Sequence, residues 1–61
     1  MSSFITAITH DRTSNTLTVG MRSGPTYTYV EVPRKVYRKF MDAESKGKFF
    51  NSNVRGTFKG V

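Results

Sequence analysis

The stretch Thr26-Tyr27-Thr28-Tyr29-Val30-Glu31-Val32 runs directly into Pro33. Its β-branched and aromatic residues suit a pleated, half-buried surface. In a strand, Tyr27 and Tyr29 point to the same side. Pro33 has no N–H for a ladder but fits the first turn of a helix. The chain is therefore expected to be sheet up to this point and helix after it.

Two strands are expected before it. Phe4–His10 is rich in β-branched residues, and Asp11–Asn15 is a polar loop of turn formers. Thr16–Met21 alternates, with Leu17, Val19 and Met21 on one side. A two-residue turn at Ser23-Gly24 would set Gly20 opposite Tyr27. Residues directly opposite share a face. Leu17, Val19 and Met21 then join Thr28, Val30 and Val32. With His10 facing Thr16, Ile5 and Ala7 join that apolar face too. Ile8, His10, Tyr27 and Tyr29 gather on the other. A loop one residue longer reverses this parity.

Beyond Pro33, the residues Val36, Tyr37, Phe40 and Met41 recur at helical spacing through Pro33–Ala43. Arg34, Lys35, Arg38 and Lys39 fall on the opposite, solvated side. Ser45 is an N-cap candidate for a short second helix from Lys46 to about Asn53, burying Phe49 or Phe50. Val54–Phe58 reads as a tail strand or an extended segment. The expected fold is α+β: a three-stranded antiparallel β-meander, an amphipathic helix and a short second helix (β-β-β-α-α). It forms a single domain over residues 1–61.

Composition narrows the function. Sixty-one residues without Cys exclude a disulfide scaffold and a thiolate metal site. The start of the chain has neither the charged nor the apolar region of a signal peptide, and no apolar run reaches membrane-spanning length. A cytoplasmic protein without a membrane partner is expected. The net charge is +6, and all of it lies in residues 34–61. There Arg34, Lys35, Arg38, Lys39, Lys46, Lys48, Arg55 and Lys59 outnumber Asp42 and Glu44, whereas Arg12 and Arg22 balance Asp11 and Glu31 earlier. Such asymmetry points to a polyanionic partner, and solubility alone is the bland alternative.

Catalytic chemistry is poorly supplied. His10 is the only histidine, at a strand end beside a loop. Asp42 and Glu44 are two apart and do not face each other on a helix. No metal-ligand set, phosphate-cradling glycine loop or cofactor motif is present. No enzymatic activity, cofactor or metal is expected. Binding chemistry is better supplied. Aromatic rings flanked by cations form platforms for single-stranded nucleic acids. The candidate binding residues are Tyr27, Tyr29 and His10 for stacking, with Arg34, Lys35, Arg38, Lys39, Lys46, Lys48 and Arg55 for phosphates. The alternative is that Phe49, Phe50 or Phe58 covers the tyrosine face.

The chain resembles the KTSC domain family. The resemblance runs through Ser2-Ser3, Leu17-Thr18-Val19, Tyr27-Thr28-Tyr29 and Val32-Pro33 with Val36-Tyr37. It continues through Ala43-Glu44-Ser45-Lys46-Gly47-Lys48-Phe49-Phe50-Asn51 to Val54-Arg55-Gly56. His10 stands where family members often have Tyr. The family occurs at the C-terminus of some lysyl-tRNA synthetases and as stand-alone bacterial and phage proteins. It carries no established activity, and the synthetase appendage makes RNA binding the role the resemblance implies. It also singles out Ser45, Gly47, Asn51, Arg55 and Gly56. Physically, Ser45 suits a cap, Asn51 a loop tie and Gly56 a turn. Arg55 suits either a phosphate contact or an ion pair with Glu44 or Glu31.

The leading expectation is thus a small basic module that binds RNA, either tRNA or single-stranded. The alternative is a protein-interaction module, a phage or bacterial adaptor or inhibitor of a host protein, using a free sheet edge. A third reading is a homo-oligomer that hides the tyrosine face against its own copy.

Overall fold

The computed structural model describes residues 4–61. Ser2 and Ser3, which carry part of the resemblance, lie outside the described residues. Strands β1 (Ile5–Asp11), β2 (Thr16–Met21) and β3 (Thr26–Val30) form an antiparallel meander. Helix α1 (Arg34–Asp42) and a one-turn helix α2 (Lys46–Phe49) come next. Helix α2 passes into a π-helical turn, Phe50–Val54. The α+β class and the order of elements are as expected. The difference is a fourth strand, β4 (Lys59–Gly60), which pairs with β3 just beyond Val54–Phe58, the segment expected to be a tail strand or extended; Val54 itself ends the π-helical turn.

The tyrosines lie on the face opposite to the expected one, and the β2–β3 turn is the reason. Gly24 donates its N–H to the Met21 carbonyl at 3.0 Å, and Met21 donates to Pro25 at 2.9 Å. Arg22, Ser23 and Gly24 thus form a three-residue loop, with Gly24 in the left-handed region at φ 119°. A two-residue turn would have needed an N–H from Pro25 to close it, and proline has none. The extra residue sets Val19 against Tyr27, Leu17 against Tyr29 and Gly20 against Thr26. Tyr27 and Tyr29 therefore share the helix-covered face with Leu17 and Val19, and Thr28 and Val30 take the far face.

The first hairpin also shifts by one. Asp11, expected in the loop, pairs with Thr16, and its Oδ1 accepts the Thr13 N–H at 2.9 Å. His10 then faces Leu17, and Ile8 faces Val19. Ala7 leaves the apolar face. Ile5 stays on it because a bulge at Thr6 resets the register, with Ile5 against Met21. Val32 is fully buried as expected, by a different route: Glu31 adopts φ 57° and turns the chain so that Val32 points inward.

The core lies between this face and the helical segment. It comprises Leu17, Val19, Tyr29, Val32, Phe40, Phe50 and Val54. Phe40 is fully buried at the centre of an aromatic group, stacked on Phe49 at 5.2 Å and on Phe50 at 6.4 Å between centroids. Met41, expected on the buried stripe, is 43% exposed. It lies one residue beyond Phe40, about 100° round a short helix, and outside the covered arc. Ser45 caps α2, its Oγ accepting the Lys48 N–H at 3.3 Å. Among the described residues, no helix is long and apolar enough to cross a membrane.

Candidate functional site

A groove of about 690 Å³ opens between the tip of the β2–β3 hairpin and the π-helical turn. The hairpin supplies Met21, Arg22, Ser23, Tyr27 and Tyr29, and the turn supplies Phe50, Asn51 and Arg55; Phe4 completes the lining. Among the described residues, no carboxylate lines it. Two guanidinium groups thus share a concave surface with four aromatic rings.

Local structure explains how these side chains meet. In the π-helical turn, the Arg55 N–H reaches back five residues to the Phe50 carbonyl at 2.8 Å. The wider turn buries Phe50 and Val54 in the core while Asn51 and Arg55 line the groove. Gly56, at φ 84°, then reverses the chain toward β4. Phe4 reaches the groove by lying over Gly47: a Cβ on residue 47 would come within 2.6 Å of the Phe4 ring.

The two tyrosines have different surroundings. Tyr29 is 8% exposed, with the Phe50 ring edge-on at 6.0 Å and Gly60 against its ring. Burial pushes its phenol above the ordinary range; the Arg55 charge opposes that shift and Tyr27 adds to it. Tyr27 is 46% exposed. Of the three phenylalanines expected as a cover, Phe50 lies on Tyr29, and Tyr27 stays open.

The remaining candidates separate. His10 is not an open third ring: it stacks on Tyr37 at 5.4 Å, and its Nε2 lies 2.7 Å from the Val32 carbonyl. The register shift brought it to the helix-covered face, packed against Tyr37. Its Nε2–H donates to that carbonyl, and its buried Nδ1 has no hydrogen-bond partner among the described residues. Arg34 lies over the Tyr37 ring at 5.0 Å. Lys35, Arg38 and Lys39 are exposed on α1, and Lys48 is exposed on α2. Lys46 donates its ammonium to the Ala43 carbonyl at 2.8 Å, closing the link between the helices. None of these lines the groove. Arg55 does, and so does Asn51, whose side chain has no hydrogen bond among the described residues in place of the expected loop tie. Arg22 is the cation of the lining that was not among the expected binding residues. It sits in the charge-balanced half, and only the three-residue loop brings it beside Tyr27. Among the described residues, no cluster of three His, Cys, Asp or Glu is suited to a metal.

A four-stranded antiparallel meander with its helical segment on one face and an aromatic, doubly basic groove at one end defines a small α+β class. The chain belongs to the KTSC domain family, whose pattern matches residues 1–58. It is 40% identical over 57 residues to a lysine–tRNA ligase of Nostoc sp. strain PCC 7120, across 93% of this chain and 10% of the ligase. The chain thus spans about a tenth of the length of the ligases it matches. It is also 38% identical to a protein of Tsukamurella paurometabola, over 98% of this chain and 90% of that protein. The crystal structure of a KTSC domain protein from Yersinia pestis superposes with a TM-score of 0.92 at 35% identity, covering all of this chain and 87% of that one.

Proposed function

We propose that this chain is a non-enzymatic module that binds unpaired RNA. The observation that carries the reading is the meeting of Tyr27, Arg22 and Arg55 in one groove without a carboxylate, on a chain of net charge +6. Base stacking on an open ring and charge-assisted contact to phosphate are the two interactions from which single-strand binding is built. The exposed Lys35, Arg38, Lys39 and Lys48 extend a positive field that draws in a polyanion. The relatives named as lysine–tRNA ligases support an RNA context. In this reading the protein works in the cytoplasm.

Fluorescence anisotropy with labelled tRNA and single-stranded RNA across a salt series tests the reading. Affinity should fall with salt, with a logarithmic slope of roughly −0.7 for each phosphate neutralised. No binding at low salt sinks it.

A protein partner is the second reading, favoured by one observation. Among the described residues, the seven-residue β1 lies at the sheet edge with β2 as its one neighbour in the sheet. A partner captured from bacterial lysate that survives nuclease treatment and is lost on Thr9→Pro supports it.

A further inference from the structure

We propose that the groove holds one unstacked nucleotide, a base together with its phosphate, rather than a run of stacked bases. This rests on the RNA-binding reading and deepens it. The Tyr27/Tyr29 pair suggests a platform for two bases, but Tyr29, though it reaches the groove lining, is buried beneath Phe50 and against Gly60, so it offers no open ring face for stacking. One tyrosine face remains. Four large apolar side chains are exposed among the described residues: Phe4, Tyr27, Met41 and Val61. Both aromatic ones line this groove.

The remaining lining fits the other parts of a nucleotide. Arg22 and Arg55 offer fork-shaped donors suited to a phosphate, with no carboxylate in the lining to compete. The Asn51 amide, with no hydrogen bond among the described residues, presents one donor group and one acceptor, which matches the edge of an unpaired base. A volume of about 690 Å³ lies within the range of small-molecule sites. The base lies against Tyr27 and Phe4, its edge meets Asn51, and its phosphate meets the two guanidinium groups.

The test is titration of the 15N-labelled 61-residue chain with AMP, UMP, adenosine and inorganic phosphate, monitored by amide shifts. In parallel, AMP competes with a labelled RNA oligonucleotide in anisotropy. AMP and UMP should shift the amides of Arg22, Tyr27, Asn51 and Arg55 and saturate with a Kd on the order of 1 mM. Adenosine and phosphate should each bind at least about tenfold more weakly, since each lacks half the contacts. Tyr27→Leu should weaken AMP roughly fivefold to a hundredfold, Tyr27→Phe should preserve binding, and Arg55→Gln should weaken AMP but not adenosine. Met41→Ala, on exposed α1 surface, should change nothing.

Phosphate binding as tightly as AMP overturns the proposal in favour of a plain anion site. Shifts confined to the α1 cations overturn it as well, as does saturation by an acidic peptide but not by AMP. RNA binding that ignores both AMP and Tyr27→Leu overturns the nucleotide site and leaves the RNA reading standing. AMP binding without RNA binding supports the site and removes the RNA reading.

Discussion

Phe4 lies over Gly47 so closely that even a methyl group at position 47 would collide with its ring, at 2.6 Å. One contact therefore ties the start of β1 to the first turn of α2 and sets one wall of the groove. Gly inside a helix costs about 1 kcal/mol relative to Ala, so at position 47 helix propensity and the Phe4 contact pull in opposite directions.

That conflict gives a sign reversal. Gly47→Ala should destabilise the protein while Phe4 is present. In a Phe4→Ala background the same substitution should stabilise it, by up to about 1 kcal/mol. Urea denaturation of the four variants measures the coupling, and equal effects in both backgrounds would show that the contact carries no weight.

Two adjacent residues of α1 should behave very differently. Phe40 is fully buried among Phe49 and Phe50, so Phe40→Ala should cost about 3–5 kcal/mol, enough to unfold much of a domain this small. Met41, 43% exposed, should tolerate Ala within about 0.5 kcal/mol. Thermal melts of both variants check the contrast.

His10 should prove structural. His10→Phe keeps a ring against Tyr37 but leaves the Val32 carbonyl without its donor, at a cost of about 1–3 kcal/mol. RNA affinity, measured where the variant is fully folded, should equal that of the parent chain. A loss of affinity there would restore His10 to the binding surface.

Alkaline pH should act through Tyr29. Its folded-state phenol is held above the ordinary value, mainly by burial. Below about pH 10 the phenol is neutral in both folded and unfolded chains, and its contribution to stability is intact. As pH rises past that value the unfolded chain ionises first, and the contribution is lost up to the folded pKa. Tyr29→Phe should flatten this part of the stability profile. An unchanged alkaline slope in denaturation at pH 9–11 would count against the buried phenol.

Much of the architecture is legible in the sequence because it rests on local signals. The alternation of Leu17 and Val19, the stop at Pro33, the helical spacing up to Phe40 and the Ser45 cap each arise from short-range chemistry. Facing was harder, because a one-residue change in a loop inverts a strand. The decisive cue, that Pro25 has no N–H to close a two-residue turn, was present in the chain. The bulge at Thr6 and the left-handed Glu31 were not legible, since tertiary packing imposes both. For the site, Tyr27 and Arg55 could be named in advance. Arg22 could not, because charge counting placed it in a neutral segment, and the hairpin loop alone makes it a neighbour of Tyr27.

The π-helical turn holds one residue more than an ordinary turn between the Phe50 carbonyl and the Arg55 N–H. Removing an exposed residue within it, such as Ser52, would let the same bond close at ordinary α-helical spacing, with Val54 still facing the core and Arg55 still facing the groove. Adding a residue there would leave that bond no helical spacing on which to close and would turn Arg55 away from the groove. This segment should therefore tolerate a shorter count better than a longer one.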